Sequence, residues 1–296
     1  DARKLPAAKT AGRPPTRFGE LVTCDWLTTA LEGESYKEQF KVALLIKDVF
    51  TRYSFVLLLN RKADVALHLT EFMQQMGTLP PGLEFEGGKY RVDGGAELSS
   101  QSWSRMVSDF LMQQTEVTCA HRQDTNGAAE AFVRNIQKIA TSLIKSSGLP
   151  QSFWAYAVRA AVYLHNRTYN SALDTTPYHK RYDRHAPIHY LRVFGCKAHV
   201  HIPTAGGMEE RAKVGWMVGY ASDRAMAAYS IWIPSENRIA ISRDVRFDER
   251  VLYGDRKARR GRTGGEEPHR GPHSESSSED DEGGDDGAKE ETDEPD

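Results

Sequence analysis

Hydrophobic positions recur along this chain with two periods, and the switches between them mark its elements. Residues 20–28, 40–49 and 53–59 are rich in Val, Leu, Ile and aromatics and predict three strands. Gly33 and Glu34 predict a hairpin between the first two. Residues 63–76 place Val65, Leu67, Leu69, Phe72 and Met76 partly on one side of a helix, which Pro80-Pro81-Gly82 stops. A short strand, 90–93, ends at Gly94-Gly95, where the null is a simple tight turn. Residues 101–113 space Trp103, Met106, Val107 and Phe110 as a helix does, and 116–120 predict one more strand.

The strongest periodicity follows. A turn-rich segment, residues 121–127, runs into a helix predicted to begin near Ala128. With Glu130 at 0° and about 100° per residue, Phe132, Ile136, Ile139, Ala140 and Leu143 fall at roughly 180–280°. Arg134, Gln137, Thr141 and Lys145 fall within about 60° of Glu130. One face must pack, and the other lines a carboxylate up with cations. An amphipathic surface helix with ordinary ion pairs explains this helix alone equally well.

Strands in a meander followed by strands alternating with helices describe an α/β fold, a mixed sheet with helices packed on it. Ligands gather at strand ends in such sheets. Asp25 lies within the first strand, Asp93 at the end of the fourth, and Glu130 near the start of the helix after the fifth. If the first and fourth strands are neighbours, the three carboxylates meet at one edge. A trio of oxygen ligands suffices for two Mg²⁺ ions, which usually keep several waters.

Composition adjusts this picture. The net charge of −2 hides an uneven distribution: residues 254–296 carry 7 Lys+Arg against 15 Asp+Glu, leaving 32 against 26 before them. A body near +6 is compatible with a polyanionic partner without establishing one. No apolar run approaches the roughly 20 residues that span a bilayer, and no signal peptide is recognisable, so an intracellular, membrane-free protein is expected. Cys24, Cys119 and Cys196 are odd in number and far apart, which argues against a disulfide framework. The chain starts at Asp1 without Met, as a fragment or processed product would. Residues 1–17 form a basic, Pro-containing arm, suited to lying along nucleic acid or to serving as a solvated linker.

Several motifs now line up in order. Tyr90-Arg91-Val92-Asp93-Gly94-Gly95-Ala96-Glu97-Leu98 and Gln123 to Glu130 resemble the two signatures that carry the second and third acidic residues of copia-type LTR retrotransposon integrases. The segment Gly19-Glu20-Leu21-Val22-Thr23-Cys24-Asp25 resembles the one that presents their first Asp, and Asp48-Val49-Phe50-Thr51-Arg52-Tyr53 resembles their Asp-Asp-Phe-Ser-Arg-Tyr turn. Ser147-Gly148-Leu149-Pro150, Tyr163-Leu164-His165-Asn166-Arg167 and Thr176-Pro177-Tyr178 resemble the helices after that core. Leu191-Arg192-Val193-Phe194-Gly195-Cys196, Val218-Gly219-Tyr220 and residues 242–249 resemble a small β-barrel of the same Pol polyproteins. Any one motif is weak, but the ordered set, over roughly residues 18–249, is specific.

The resemblance implies a ribonuclease-H-like mixed five-stranded sheet flanked by helices, then a small Src-homology-3-like β-barrel and a disordered acidic tail. Its divisions are a basic arm at 1–17, a catalytic core with following helices at 18–182, a barrel at 183–252 and a basic-then-acidic linker at 253–296. It implies a retroviral-integrase-like DDE polynucleotidyl transferase whose Asp25, Asp93 and Glu130 are catalytic and hold Mg²⁺ or Mn²⁺, two ions in all. DNA contacts are expected at Asn126, Arg134, Lys138 and Lys145. Implied partners are double-stranded DNA (element ends and target), further copies of the chain and the reverse transcriptase portion of the polyprotein, in virus-like particles and the nucleus. The chain departs from the pattern in three places. Ala131 and Phe132 stand where two basic residues often follow the Glu, Gly94 stands where Asn follows the second Asp, and 36 residues separate Asp93 from Glu130, one more than usual. The family's His-His-Cys-Cys zinc module would precede Asp1. The alternative is a catalytically inactive or domesticated, integrase-derived nucleic-acid-binding protein.

The remaining candidates read as structural. Cys24 alternates away from Asp25 into the core, Asp48 caps a turn, and Trp154, Tyr156 and Tyr163 are packing residues rather than base-stacking platforms. Cys196, His199 and His201 lie on one strand-like run without a second Cys, which disfavours zinc. Asp124 lies in the approach to the central helix, touching DNA or water. Residues 256–262 form a basic run that serves as a nuclear import signal, a nucleic-acid contact or a linker.

Overall fold

The structure is a computed structural model that describes residues 13–27, 36–37, 40–65, 68, 89–92, 98, 100–111, 114–117, 123–201, 212–221 and 228–255. The first sheet comprises β1 (Leu21–Leu27), β2 (Val42–Asp48), β3 (Ser54–Leu59), β4 (Lys89–Val92) and β5 (Gln114–Val117), in the order β3-β2-β1-β4-β5. The meander β1-β2-β3 is antiparallel, whereas β4 pairs parallel to both β1 and β5. Helix α1 (Gln101–Leu111) lies between β4 and β5. The expected helix over 63–76 lies mostly outside the described residues, as do Cys119 and the chain beyond Asp255.

Alternation in β1 sorts its side chains onto two faces. Val22, Cys24 and Trp26 join Leu44, Ile46, Leu57, Leu59, Val92 and Trp103 in one cluster. Leu27 belongs with Ala43, Leu45 and Leu58 to a larger cluster on the other face, and Asp25 shares that parity. Both faces of β2 are therefore covered, which explains its near-continuous apolar run. Its last residue, Asp48, is buried and accepts hydrogen bonds from Gly19 N–H (2.8 Å), Thr51 N–H (2.6 Å) and Thr51 Oγ1 (2.6 Å). Asp48 thus caps the β2–β3 turn, as its sequence position predicts, and ties residue 19 to it.

Helix α2 spans Gln123–Ser147, beginning about five residues earlier than the apolar periodicity locates it. Apolar spacing registers only where a helix touches a core, and its first turn needs no such contact. Strand β5 begins at Gln114, two residues before the predicted start, and residues 118–120 of the predicted strand lie outside the described residues. At the far end Gly148 adopts φ +69° and donates to Ile144 O at 3.1 Å, a left-handed cap followed at once by Pro150. A Cβ there would sit 2.5 Å from Gly254 Cα, so the helix end and the end of the last strand pack backbone to backbone.

Helix α3 (Trp154–Arg167) follows a short 3₁₀ turn and is buried on nearly every side through Trp154, Ala155, Tyr156, Ala157, Val158, Ala160, Ala161 and Val162. It touches α2, β3 and the second sheet. Four alanines let its backbone approach these neighbours closely. Near its end the Asn166 amide accepts from Ser54 N–H and donates to Ser54 O, both at 2.8 Å, acting as an extra rung on β3. Helix α4 (Pro177–Tyr182) is capped by Thr176, whose Oγ1 accepts from His179 N–H at 3.1 Å. From it, Arg181 lies 4.4–4.8 Å from the ring centroids of Phe18, Tyr53, Phe55 and Tyr182.

The second sheet comprises β6 (Cys196–His201), β7 (Ala212–Tyr220), β8 (Tyr229–Ile233), β9 (Arg238–Ser242) and β10 (Val245–Leu252), all antiparallel, in the order β10-β6-β7-β8-β9. Two residues join β9 to β10, although these are opposite edges. Four strand spacings would separate the edges of a flat sheet by about 19 Å. The link reaches about 11 Å at most. The sheet is therefore rolled into a barrel. Its strands start at Cys196; within the preceding residues, 183–195, the structure has a 3₁₀ turn (Ile188–Tyr190) and no strand.

The two sheets share one core. Tyr36 stacks on Phe153 (4.6 Å, 18°) and meets Trp232 edge-on, with Trp232 Nε1 donating to Tyr36 Oη at 2.9 Å. Tyr163 of α3 stacks on Tyr220 of β7 at 3.9 Å.

Replacing Asn166 by Ala leaves the Ser54 amide and carbonyl unpaired in a buried place, so a loss of about 2–4 kcal/mol in urea unfolding is expected. A pH effect is expected from His165, whose pKa is lowered from 6.5 to about 4, chiefly by burial and then by the charge of Lys47. The unfolded chain binds the extra proton between these values, so this contribution is intact above about pH 6.5 and is lost as pH falls toward 4. The difference between the chain and His165→Gln in urea titrations over that window should reach about 2–3 kcal/mol.

Candidate functional site

The candidate site is built on β1 and α2. In β1, Asp25 pairs across with Leu45 and is half-buried, and its Oδ1 accepts from Trp26 N–H at 2.8 Å. Helix α2 packs over this strand on the same side of the sheet, through Ala129, Phe132, Val133, Ile136, Ala140 and Ile144. Glu130 lies on its exposed face together with Arg134, Lys138 and Lys145, while Gln137 and Thr141 are half-buried. The helical wheel thus predicts the stripe, with Val133 and Ile144 as additions to its buried side. The backbone of Asn126 lies in the first turn of α2; its side chain is outside the described residues, as is that of Asp124.

Asp93 also falls outside the described residues. Its covalent neighbour does not. Val92 is fully buried and pairs with Cys24, the residue before Asp25, so the parallel β1–β4 ladder runs up to the level of the candidate carboxylate. The first and fourth strands are neighbours, which is the condition for the carboxylates to share an edge. Among the described residues no group of three His, Cys, Asp or Glu is arranged to hold a metal. Asp25 and Glu130 are among those residues and Asp93 is not. The donors available at Asp25 and Glu130 are carboxylate oxygens, which suit hard divalent cations rather than soft metals.

The rival candidates separate cleanly. Cys24 is buried on the face away from Asp25. In β6, Cys196 points inward with Ala198 and Val200, whereas His199 and His201 lie on the opposite face, His201 exposed. A strand's alternation therefore keeps the thiol and the imidazoles apart. Trp154 and Tyr156 are core residues, and Tyr163 is partly covered by Tyr220 and by Arg167, whose guanidinium lies 3.3 Å from its ring centroid.

Sequence reasoning overlooked one group. Lys47 lies opposite Thr23 in the β1–β2 ladder, hence on the Asp25 face, and its ammonium stands 5.0 Å from the ring centroid of Phe132. Burial, helped by the charge of Arg52, pushes its pKa down to about 8. The available signal was a lysine interrupting the apolar run of β2.

Comparison with known proteins agrees with this layout. The model of the retroviral polymerase SH3-like domain matches residues 196–260, which contain the rolled sheet. The chain is 30% identical over 168 residues, 54% of its length, to the retrovirus-related Pol polyprotein from transposon TNT 1-94 of Nicotiana tabacum. It is 26% identical over 238 and 229 residues, 79% and 73% of its length, to the corresponding polyproteins from transposons RE1 and RE2 of Arabidopsis thaliana. These alignments span 12%, 15% and 14% of the relatives' own lengths.

Burial raises the Cys196 thiol to about 12 and Cys24 higher still. In a Cys119→Ser background, a thiol reagent at about pH 8 should therefore label neither cysteine until denaturant is added.

Proposed function

We propose that this chain, homologous to the retrovirus-related Pol polyproteins of copia-type plant transposons, is the integrase portion of such an element. It would trim the 3′ ends of element DNA and join them to target DNA. The observation that carries the reading is the parallel pairing of β1 with β4, whose ladder ends at Cys24 opposite Val92. That pairing sets Val92, the residue before Asp93, beside Cys24, the residue before Asp25, on a sheet packed by the helix that carries Glu130, and so supports a ribonuclease-H-like core.

Asp25, Asp93 and Glu130 would hold Mg²⁺ or Mn²⁺. Bound there, a pair of ions supplies charge neutralisation at the scissile phosphate and a more acidic attacking oxygen. The protein's own part is positional. Asp25 is fixed by a central strand paired on both sides, so its carboxylate has little freedom to lose. Glu130 stands on a helix anchored by Phe132, Val133 and Ile136 below it. No covalent enzyme intermediate is needed, since water and then a DNA 3′-hydroxyl attack phosphorus. Arg134, Lys138 and Lys145 continue the exposed stripe of α2 and would meet DNA phosphates, with Asn126 near the helix start. On this reading the core covers residues 18–182 and the barrel 183–252. Copies of the chain would act together on paired DNA ends.

One observation favours a catalytically silent, DNA-binding descendant: Ala131 and Phe132 stand where the family often has two basic residues, and Phe132 is buried against the sheet, so this turn of α2 offers DNA two cations fewer.

The test is strand transfer with a labelled duplex ending in the element's own terminal sequence, with Mg²⁺ or Mn²⁺, for the chain alone and for the chain joined to the family's zinc module. Joined product is expected from the chain, and a loss of about 10²-fold or more from Asp25→Asn and Glu130→Gln. If no form nicks or joins the duplex while all bind it equally, the silent reading replaces the enzyme.

A further inference from the structure

Three basic side chains converge where the β2–β3 turn meets the end of α3. Lys47 Nζ is 5.0 Å from the Phe132 ring centroid, and the His165 ring centroid is 5.2 Å from the same ring. Arg52 occupies the turn in a left-handed conformation, φ 56°, and its Nη1 donates to Asn170 Oδ1 at 3.2 Å. The ring of His165 bonds the backbone carbonyl of Arg52, while its Nε2 is buried and without a partner. No carboxylate pairs with Lys47, Arg52 or His165 among the described residues. Among the described residues, the side chain that bonds the Arg52 guanidinium is a neutral amide. All three residues keep part of their surface open to solvent.

Such an arrangement is costly for an isolated chain. Burial and mutual repulsion lower the proton affinity of both Lys47 and His165, yet among the described residues no carboxylate is paired with either. An ordinary solvated basic patch would splay its side chains apart; here Lys47 and His165 meet on one aromatic ring, and Arg52 adjoins His165 through its backbone carbonyl. We propose that Lys47, Arg52 and His165 form a phosphate-binding site. The ammonium offers a point charge, the guanidinium its remaining N–H groups and a protonated His165 its Nε2–H, a set of donors suited to a tetrahedral oxyanion. Lys47 is the diagonal neighbour of Asp25 across β1 and β2, about 7–8 Å away between Cα atoms. A phosphate held there lies on the same face of the sheet as the candidate carboxylates. The site stands on its own geometry and does not require that those carboxylates be catalytic.

The phosphate is either free or part of a nucleic-acid backbone, and two probes separate these sources. NMR of the full chain would follow the Arg52 Nε–Hε signal and the His165 ring, first with inorganic phosphate and then with a short DNA duplex. Saturable shifts of both groups, with His165 titrating at higher pH when bound, are expected from at least one probe. Lys47→Gln should weaken that binding at least about ten-fold, and Lys47→Arg should restore most of it. A response to duplex alone assigns the site to the DNA backbone, and a response to both assigns it to phosphate generally. Unmoved signals with both probes, or equal shifts in Lys47→Gln and the parent chain, overturn the proposal.

Discussion

The burial of α3 on nearly every side is the constraint on which the rest of the structure depends. An α-helix in a two-layer fold normally keeps a polar stripe for solvent, but α3 has α2 and β3 against it on one side and β7 on another. Its alanines at 155, 157, 160 and 161 make this possible by keeping the helix thin. The mixed sheet and the rolled sheet therefore draw on one hydrophobic cluster, running from Leu27 and Leu45 through Val158 to Met217 and Ile231. Tyr36, Phe153, Trp232 and the Tyr163–Tyr220 stack seal its rim.

This arrangement reaches the candidate site through α2. The helix that carries Glu130 is pinned between β1 and α3, and its Phe132 touches both the Lys47 ammonium and the His165 ring. Its C-terminus is locked against the barrel at Gly148, and Gly195 with φ +75° lies so near Ser147 that an added Cβ would fall 2.2 Å from the Ser147 Cβ. Glu130 is thus exposed but set on a helix held along its body by β1 and α3 and at its C-terminus by the barrel.

Cations in this chain are frequently held by rings rather than by carboxylates. Arg181 fills a cage of Phe18, Tyr53, Phe55 and Tyr182, and Arg167 lies between Tyr163 and Tyr178. Aromatic faces stabilise a guanidinium without cancelling its charge. The ion pairs resolved among the described residues lie at or near the surface, largely in the barrel.

By itself the sequence determined the strand and helix types, the buried stripe of α2, the turn-capping role of Asp48, the inward direction of Cys24 and the family to which the chain is related. Each of these depends on local period, on hydrogen bonding within a few residues or on ordered motifs, all readable in one dimension. Tertiary structure decided the rest. Whether β1 and β4 are neighbours, and so whether Asp25 and the chain at Val92 meet, depends on strand order, which periodicity does not encode. The early start of α2 at Gln123 left no apolar signature, and the barrel's closure became evident only when β9 and β10 were found at opposite edges joined by two residues. Lys47, Arg52 and His165 belong to β2, a turn and α3, and only the packing of α2 between β1 and α3 brings Lys47 and His165 onto Phe132 with Arg52 beside them. A charge meets its neighbours through space, and spatial proximity is fixed by the folded chain as a whole.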